Sequence, residues 1–417
     1  MEINRDYYLN KLIECQGNGM IKVVTGIRRC GKSYLLLKLF RDHLLRQGVD
    51  DDHIIQVDLE NRKNMALRDP DALMQHIDDR MRDNGMYYIL IDEVQWVNEF
   101  EDVLNSYLKV ANADVYVTGS NSRFLSTDVI TEFRGRGYEI KVHPLCFREF
   151  FSVYPGSREQ ALADYMTYGG MTQVALLPNA KSKAQYLKDL FRKVYLTDVK
   201  ERHKIKNDGD LEEFIDLLAS SIGGLTNPNK LSNTFASVKH SKLSAPTIKS
   251  YLDILQEAFL LERAVRYDIK GKRYIDTPAK YYFCDVGLRN ARINFRQHEP
   301  THLMENLIYN ELRVRDLSVD VGVVMVHEAK SGRGCQRVQL EVDFVCNEGS
   351  KRCYIQSALR LSSEEKRQQE VRSLLQIGDN FQKFVITDDP INRYQADNGI
   401  IFMNIYEFLL DDNSLVN

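Results

Sequence analysis

The residues whose types and spacing point most directly to chemistry form one short stretch, Gly26-Ile27-Arg28-Arg29-Cys30-Gly31-Lys32-Ser33. It fits the pattern G-x-x-x-x-G-K-[ST], in which backbone N–H groups close around phosphate oxygens. Glycines at both ends let the backbone curl tightly enough for several N–H groups to point inward. Lys32 is placed to reach the β- and γ-phosphates, and the Ser33 hydroxyl to hold Mg²⁺. Gly26, Ile27, Arg28, Arg29, Cys30, Gly31, Lys32, Ser33 and Tyr34 are therefore the candidate nucleotide-binding residues. Within them, Arg28 and Arg29 face outward or serve a partner surface.

A second constellation follows the apolar run Met86-Tyr87-Tyr88-Ile89-Leu90-Ile91, which ends in Asp92-Glu93. A carboxylate at the carboxyl end of a buried strand sits where parallel α/β sheets bind ligands. Asp92 is the candidate second metal ligand beside Ser33. Glu93, one residue on, is the candidate to orient or deprotonate an attacking water. Ser120 and Asn121 follow the strand run Ala113–Thr118 and can hydrogen-bond the γ-phosphate or that water, or cap the helix expected over 123–129. Arg136, with Arg134 next in rank, is the candidate to reach a neighbouring subunit's γ-phosphate and stabilise transition-state charge. The catalytic set is thus Lys32, Asp92, Glu93 and Arg136.

These side chains need a scaffold, and the pattern around them supplies one. Met20–Thr25 reads as a short apolar strand into the loop, and Tyr34–Phe40 as a helix out of it. His53–Val57 is a further strand, Asp71–Met81 a helix, and Glu139–Val142 another strand. Strands alternating with helices predict a parallel α/β sheet.

Composition sets limits. At 417 residues the chain has room for about two to four domains. A hydrophobic share of 43% and a charged share of 28% are ordinary for a globular protein. The net charge of −3 gives no global field that would draw in nucleic acid, so any such surface must be local. The seven cysteines are scattered, with no C-x-x-C pair, which predicts reduced thiols in a cytoplasmic protein. No apolar leader core and no run of 18 apolar residues is present, so no membrane association is expected.

The chain resembles the prokaryotic P-loop ATPases of the AAA superfamily that carry a C-terminal domain of unknown function. The resemblance rests on Thr25–Ser33, Ile91-Asp92-Glu93-Val94-Gln95, Thr118-Gly119-Ser120-Asn121, Pro144–Phe150 and Tyr168-Gly169-Gly170-Met171, and it extends over nearly the whole chain. It implies a 5-1-4-3-2 sheet order and a catalytic glutamate within Asp92-Glu93.

The remainder reads as three pieces after a core spanning 1–160. Residues 161–225, with amphipathic helices over Arg158–Tyr168 and Lys181–Val199, are expected to form a helical lid or linker. Residues 226–295 have a helix-turn-helix layout similar to winged-helix DNA-binding domains. Ser244 caps the second helix, and Leu260–Val265 and Lys280–Phe283 are read as the wing. Thr247, Lys249 and Ser250 would face a groove, while Lys239, His240, Lys242, Lys270, Lys272 and Arg273 would touch the phosphate backbone. Residues 296–417 resemble a restriction-endonuclease-like core with an altered centre. In such a core a helical Glu, a strand Asp and a Glu-x-Lys gather Mg²⁺ at a phosphodiester. Glu305 and Asp343 match, but Gln356 replaces the second acid and Ala358 the lysine. The fold is expected to persist without cleavage chemistry, because an amide is a poorer metal ligand and no lysine remains.

Together these readings predict a cytoplasmic ATPase using ATP and Mg²⁺, active as a homo-oligomer, that moves its C-terminal half on duplex DNA through residues 230–275. A nucleotide-switched DNA- or protein-binding module with little turnover, and an ATP-gated DNA nuclease, are the alternatives.

Overall fold

The computed structural model describes residues 2–120, 133, 135–203, 208–239, 243–297, 299–329 and 335–416. They fall into two compact units: Met1–Pro144 with Glu257–Phe259, and Leu145–Gln256 with Leu260–Asn417.

The first unit is built on five strands, β1 (Ile21–Thr25), β2 (Ile54–Asp58), β3 (Tyr87–Asp92), β4 (Ala113–Thr118) and β5 (Gly137–Lys141). All pair in parallel in the order β2-β3-β4-β1-β5, which is the order implied by the family resemblance. Parallel sheets are covered on both faces, which explains why β1 and β3 are apolar runs rather than alternating ones. Val23, Ile55, Ile89, Ile91, Val115 and Val117 form the centre of the core. Each such side chain contributes about 1.5–3 kcal/mol when buried. Lys22 of β1 is the exception. It is fully buried and ion-paired to Asp114 of β4, whose other oxygen accepts from Tyr116 at 2.8 Å. The extra hydrogen bond compensates the carboxylate for lost water.

Helix Pro70–Asp78 starts where the sequence marks it. Pro70 fits the first turn, and the Asp69 carboxylate accepts from the Ala72 N–H at 3.0 Å. The run after the phosphate loop is one continuous helical stretch over 32–46, with a π-helical segment at Leu35–Phe40.

The second unit carries an eight-stranded mixed sheet. Its strands are β6 (Leu261–Asp268), β7 (Arg273–Phe283), β8 (Ser318–Ala329), β9 (Cys335–Glu348), β10 (Lys351–Ala358), β11 (Gln382–Thr387), β12 (Tyr394–Gln395) and β13 (Ile401–Asn404). Their order is β12-β13-β11-β10-β9-β8-β6-β7. The helix pair Pro228–Lys239 and Ala245–Glu257 forms as read, with the Ser244 hydroxyl accepting from the Thr247 N–H at 3.2 Å. The strands read as a separate wing do not stand apart. β6 pairs in parallel with β8 through Arg266–Asp268, so β6 and β7 extend the nuclease-like sheet across the boundary expected at 295/296. β7 covers one edge of β6 and leaves the other, at Arg266–Asp268, to pair with β8.

The Tyr168-Gly169-Gly170 segment also has a structural account. The Asp285 carboxylate accepts from the Gly170 N–H at 2.7 Å and caps helix Val286–Arg292 through the Leu288 N–H at 2.9 Å. A Cβ on Gly169, whose φ is +71°, would lie 2.2 Å from that carboxylate. Among the described residues no helix is long and apolar enough to cross a membrane.

Candidate functional site

β1 delivers the chain into the loop at Gly26, whose φ is +139° and whose hypothetical Cβ would lie 2.1 Å from the Val142 carbonyl oxygen. Only glycine fits there. Arg29 and Gly31 also adopt positive φ, 65° and 103°, completing the curl before the helix begins. The loop is held from below by a residue the sequence reading missed. Arg5, 2% exposed, donates to the Cys30 and His143 carbonyls, both at 2.8 Å. The buried Cys30 thiol donates to the Val142 carbonyl at 3.4 Å.

Lys32 is 4% exposed, and its Nζ donates to the Gly26 and Ile27 carbonyls at 3.0 and 3.1 Å. Among the described residues it forms no ion pair. Its charge therefore rests against neutral dipoles, a condition that favours a polyanion. Arg28 reaches Glu60 at 3.6 Å, Arg29 is exposed, and the exposed Tyr34 donates from its hydroxyl to Glu2 at 3.1 Å. Arg28 thus faces a surface carboxylate and Tyr34 the N-terminal segment. Ile27 is buried and offers the site only its backbone.

The carboxylates converge from the neighbouring strands. Asp92, the last residue of β3, accepts from Thr118 Oγ1 at 2.6 Å and from the Ser33 hydroxyl. Burial pushes its carboxyl up to about 6, against the lowering effect of those two hydroxyls, with Glu93 and Asp58 raising it further. The structure thus brings the two expected metal ligands, Ser33 and Asp92, into one hydrogen-bonded pair. A hydroxyl and a carboxylate side by side suit Mg²⁺, and the glycine cradle suits phosphate.

Glu93 sits in the left-handed region at φ 53° and is 6% exposed. Its N–H donates to Thr118 Oγ1 at 2.9 Å. Its Oε2 accepts from Ser120 Oγ at 2.8 Å and from the Gln95 amide. Thr118 thereby fixes Asp92 and Glu93 together, and Ser120 and Gln95 aim the Glu93 carboxylate. Arg136 is exposed, and its carbonyl accepts from the Ile21 N–H at 2.9 Å. Asn121, Arg134 and the helix expected over 123–129 lie outside the described residues.

A second polar centre lies in the second unit. Glu305 of helix Pro300–Val314 and Asp343 of β9 come together as the nuclease-like resemblance implies, but the expectation that no lysine remains is wrong. Lys280 of β7 brings an ammonium to 2.7 Å from Glu305 Oε1, 2.7 Å from Glu341 Oε1 and 3.8 Å from Asp343 Oδ1. Tyr282 donates to the same Glu305 oxygen at 2.6 Å, and the Ser357 N–H to Asp343 Oδ2 at 2.8 Å. Burial alone would lower the lysine, but Glu305, Asp343 and Glu341 outweigh it and raise it. Burial, then the Glu305 carboxylate, push Asp343 up to about 8. Gln356 Oε1 makes only a long 3.4 Å contact with the Asp343 N–H, and Ala358 is buried in the apolar core with Val342 and Val385. Among the described residues no group of three His, Cys, Asp or Glu side chains is placed to hold a metal ion.

Residues 18–151 match the model of a family described as an AAA domain, and residues 159–299 match a domain of unknown function. An uncharacterised protein of Haemophilus influenzae is 34% identical over 414 residues, 98% of each chain. The chain belongs to the AAA-type P-loop ATPases that carry a C-terminal domain of unknown function. An uncharacterised protein of Methanocaldococcus jannaschii is 25% identical over 357 residues, covering 82% of this chain and 74% of its own. Among solved structures, Aeropyrum pernix ORC1 in complex with DNA is similar at a TM-score of 0.30 and 12% identity, covering 70% of this chain and 93% of its own. A DNA polymerase III gamma subunit-related protein of Thermotoga maritima is similar at 0.28 and 11%, covering 73% and 84%.

In this AAA-type chain the sequence does not reveal the roles of Arg5, Gln95, Thr118 and Lys280. Gln95 lies two residues past Glu93, near enough to have been weighed. Arg5 and Lys280 carry no local signal, because each reaches its partners through the fold.

Proposed function

We propose that this AAA-type chain binds ATP with Mg²⁺ at the carboxyl ends of β1, β3 and β4 and hydrolyses it. One observation carries the reading: Ser33 and Asp92 meet beside a buried Lys32 that, among the described residues, no carboxylate neutralises. Lys32 exchanges its carbonyl partners for β- and γ-phosphate oxygens. Ser33 and Asp92 would hold Mg²⁺, and the ion would supply charge neutralisation at the phosphates. Glu93, aimed by Ser120 and Gln95, accepts a proton from the attacking water. Arg136, exposed at the start of β5, serves the γ-phosphate of a neighbouring copy, so active assemblies are oligomers.

The turnover moves the second unit on duplex DNA. What favours nucleic acid is the cluster of exposed Lys270, Lys272 and Arg273 around the β6–β7 turn, with exposed Lys249 and Ser250 on helix Ala245–Glu257. The deciding experiment is steady-state ATP hydrolysis with and without duplex DNA, with Glu93→Gln as the blank. Hydrolysis above the blank and stimulated by DNA supports the whole reading. Hydrolysis indifferent to DNA leaves the ATPase and removes DNA as its partner. No hydrolysis by wild type above a protein-free control leaves a nucleotide-switched binding module.

A further inference from the structure

We infer that Lys280 is the resident cation of the acidic centre in the second unit, taking the place of a divalent metal among Glu305, Glu341 and Asp343, so that this centre binds no metal ion and cuts no phosphodiester. The inference is independent of the nucleotide reading, since its residues all belong to the second unit.

The argument is one of shared oxygens. A restriction-endonuclease-like centre needs the helical Glu and the strand Asp as metal ligands at roughly 2.0–2.6 Å. Here Glu305 Oε1 already accepts from two donors, the Lys280 ammonium at 2.7 Å and the Tyr282 hydroxyl at 2.6 Å. Glu341, the third carboxylate around this lysine, accepts from the same ammonium at 2.7 Å. Asp343 places Oδ1 at 3.8 Å from it and commits Oδ2 to the Ser357 N–H. A dication entering among these oxygens would lie within a few ångströms of a buried positive charge, and like charges at that range in a dry site exclude one another. The ammonium cannot easily withdraw. Its side chain is 3% exposed, and β7 places its root on the sheet beside β6. A lysine that assisted a bound metal would instead point at the water or the phosphate and leave the ligand oxygens to the metal.

The consequence is a latent site. As they stand the three carboxylates are not placed to hold a metal ion; removing the ammonium while keeping the side-chain length leaves their charge uncompensated and lets them relax onto a divalent ion in its place. The test is calorimetric titration of Mn²⁺ into the nucleotide-free full-length chain, comparing wild type, Lys280→Met and Asp343→Asn, with thermal melts in parallel. Any uptake near the phosphate loop is common to all three and cancels. The expected result is equal uptake by wild type and Asp343→Asn, one further equivalent in Lys280→Met, and a Tm rise with Mn²⁺ that is larger in Lys280→Met than in the other two. Wild type taking up one equivalent more than Asp343→Asn overturns the inference, as does a folded Lys280→Met chain that gains none. Should Lys280→Met not fold, wild type against Asp343→Asn decides alone. Mn²⁺-dependent nicking of supercoiled plasmid by wild type, lost in Asp343→Asn, would likewise overturn it.

Discussion

Lys32 and Lys280 are both almost wholly removed from solvent, at 4% and 2% exposure, yet they occupy opposite electrostatic situations. Lys32 lies against two neutral carbonyls, while the nearby carboxylates of Asp92 and Glu93 are satisfied by hydroxyls and an amide. Lys280 lies against three carboxylates, two of them within 2.7 Å. Burying a charge is costly unless it is paired. In the first unit that cost is only partly offset, and under the proposed function an incoming polyphosphate would supply the rest. In the second it is offset by the fold itself. A buried lysine marks a ligand site when its partners are neutral, and a structural core when they are charged.

The largest effect expected on this comparison is at Glu93. Glu93→Gln keeps the Ser120 and Gln95 contacts but cannot accept a proton. Turnover should fall by about 10²–10⁴-fold with ATP affinity nearly unchanged. Calorimetry beside a phosphate-release assay checks both halves, and wild-type turnover would remove Glu93 from the chemistry.

The second prediction sets the two lysines against each other. Lys280→Met leaves buried carboxylates uncompensated and should cost about 3–5 kcal/mol of stability. Lys32→Met should cost the fold about 1 kcal/mol or less, because it releases only carbonyl contacts. It should lower ATP affinity by at least about a hundredfold through loss of charge-assisted phosphate contacts. Denaturant unfolding and nucleotide titration on both variants separate the cases. Similar stability losses would erase the distinction drawn above. A smaller effect is expected from Ser120→Ala, which removes the 2.8 Å hydrogen bond to Glu93. Turnover should drop by about tenfold, the worth of one hydrogen bond to a charged group. No change in rate would leave Ser120 a capping residue only.

How legible each centre was follows from how it is built. The phosphate loop, Asp92, Glu93 and the strands carrying them are local: a glycine curl, an apolar run and the acids at its end all lie within a few residues of one another. The sheet order came from the family resemblance rather than from periodicity. Thr118 could be placed on a strand but not given its role, since the bonds to Asp92 and Glu93 cross from β4 to β3. Lys280 was illegible for the same reason on a larger scale. The motif puts a lysine two residues after the second acid, and position 358 holds a buried alanine. The ammonium arrives instead from β7, a strand that had been read as half of a wing. That misreading and the missing lysine are one error, because a detached wing could not have brought Lys280 to Asp343.

Asp285 supplies the case between the two lysines, a buried carboxylate whose charge is met by N–H groups alone. It accepts from the Gly170 and Leu288 N–H groups at 2.7 and 2.9 Å, and among the described residues no cation pairs with it. Burial outweighs those donors and pushes its carboxyl from 3.8 up to about 6. A folded value above the unfolded one means the native state holds the proton more tightly. Below about pH 3 the carboxyl is neutral in both states and has no effect. As pH climbs from about 3 to 6 the unfolded chain ionises first, so stability falls, and above about 6 nearly the full cost of about 3 kcal/mol is present. Asp285→Asn cannot titrate. Relative to that variant, wild type should lose about 3 kcal/mol between pH 3 and pH 7, read from denaturant unfolding at each pH. A gap that stays level would mean that backbone N–H groups alone can hold a buried carboxylate ionised without cost, as an ammonium does.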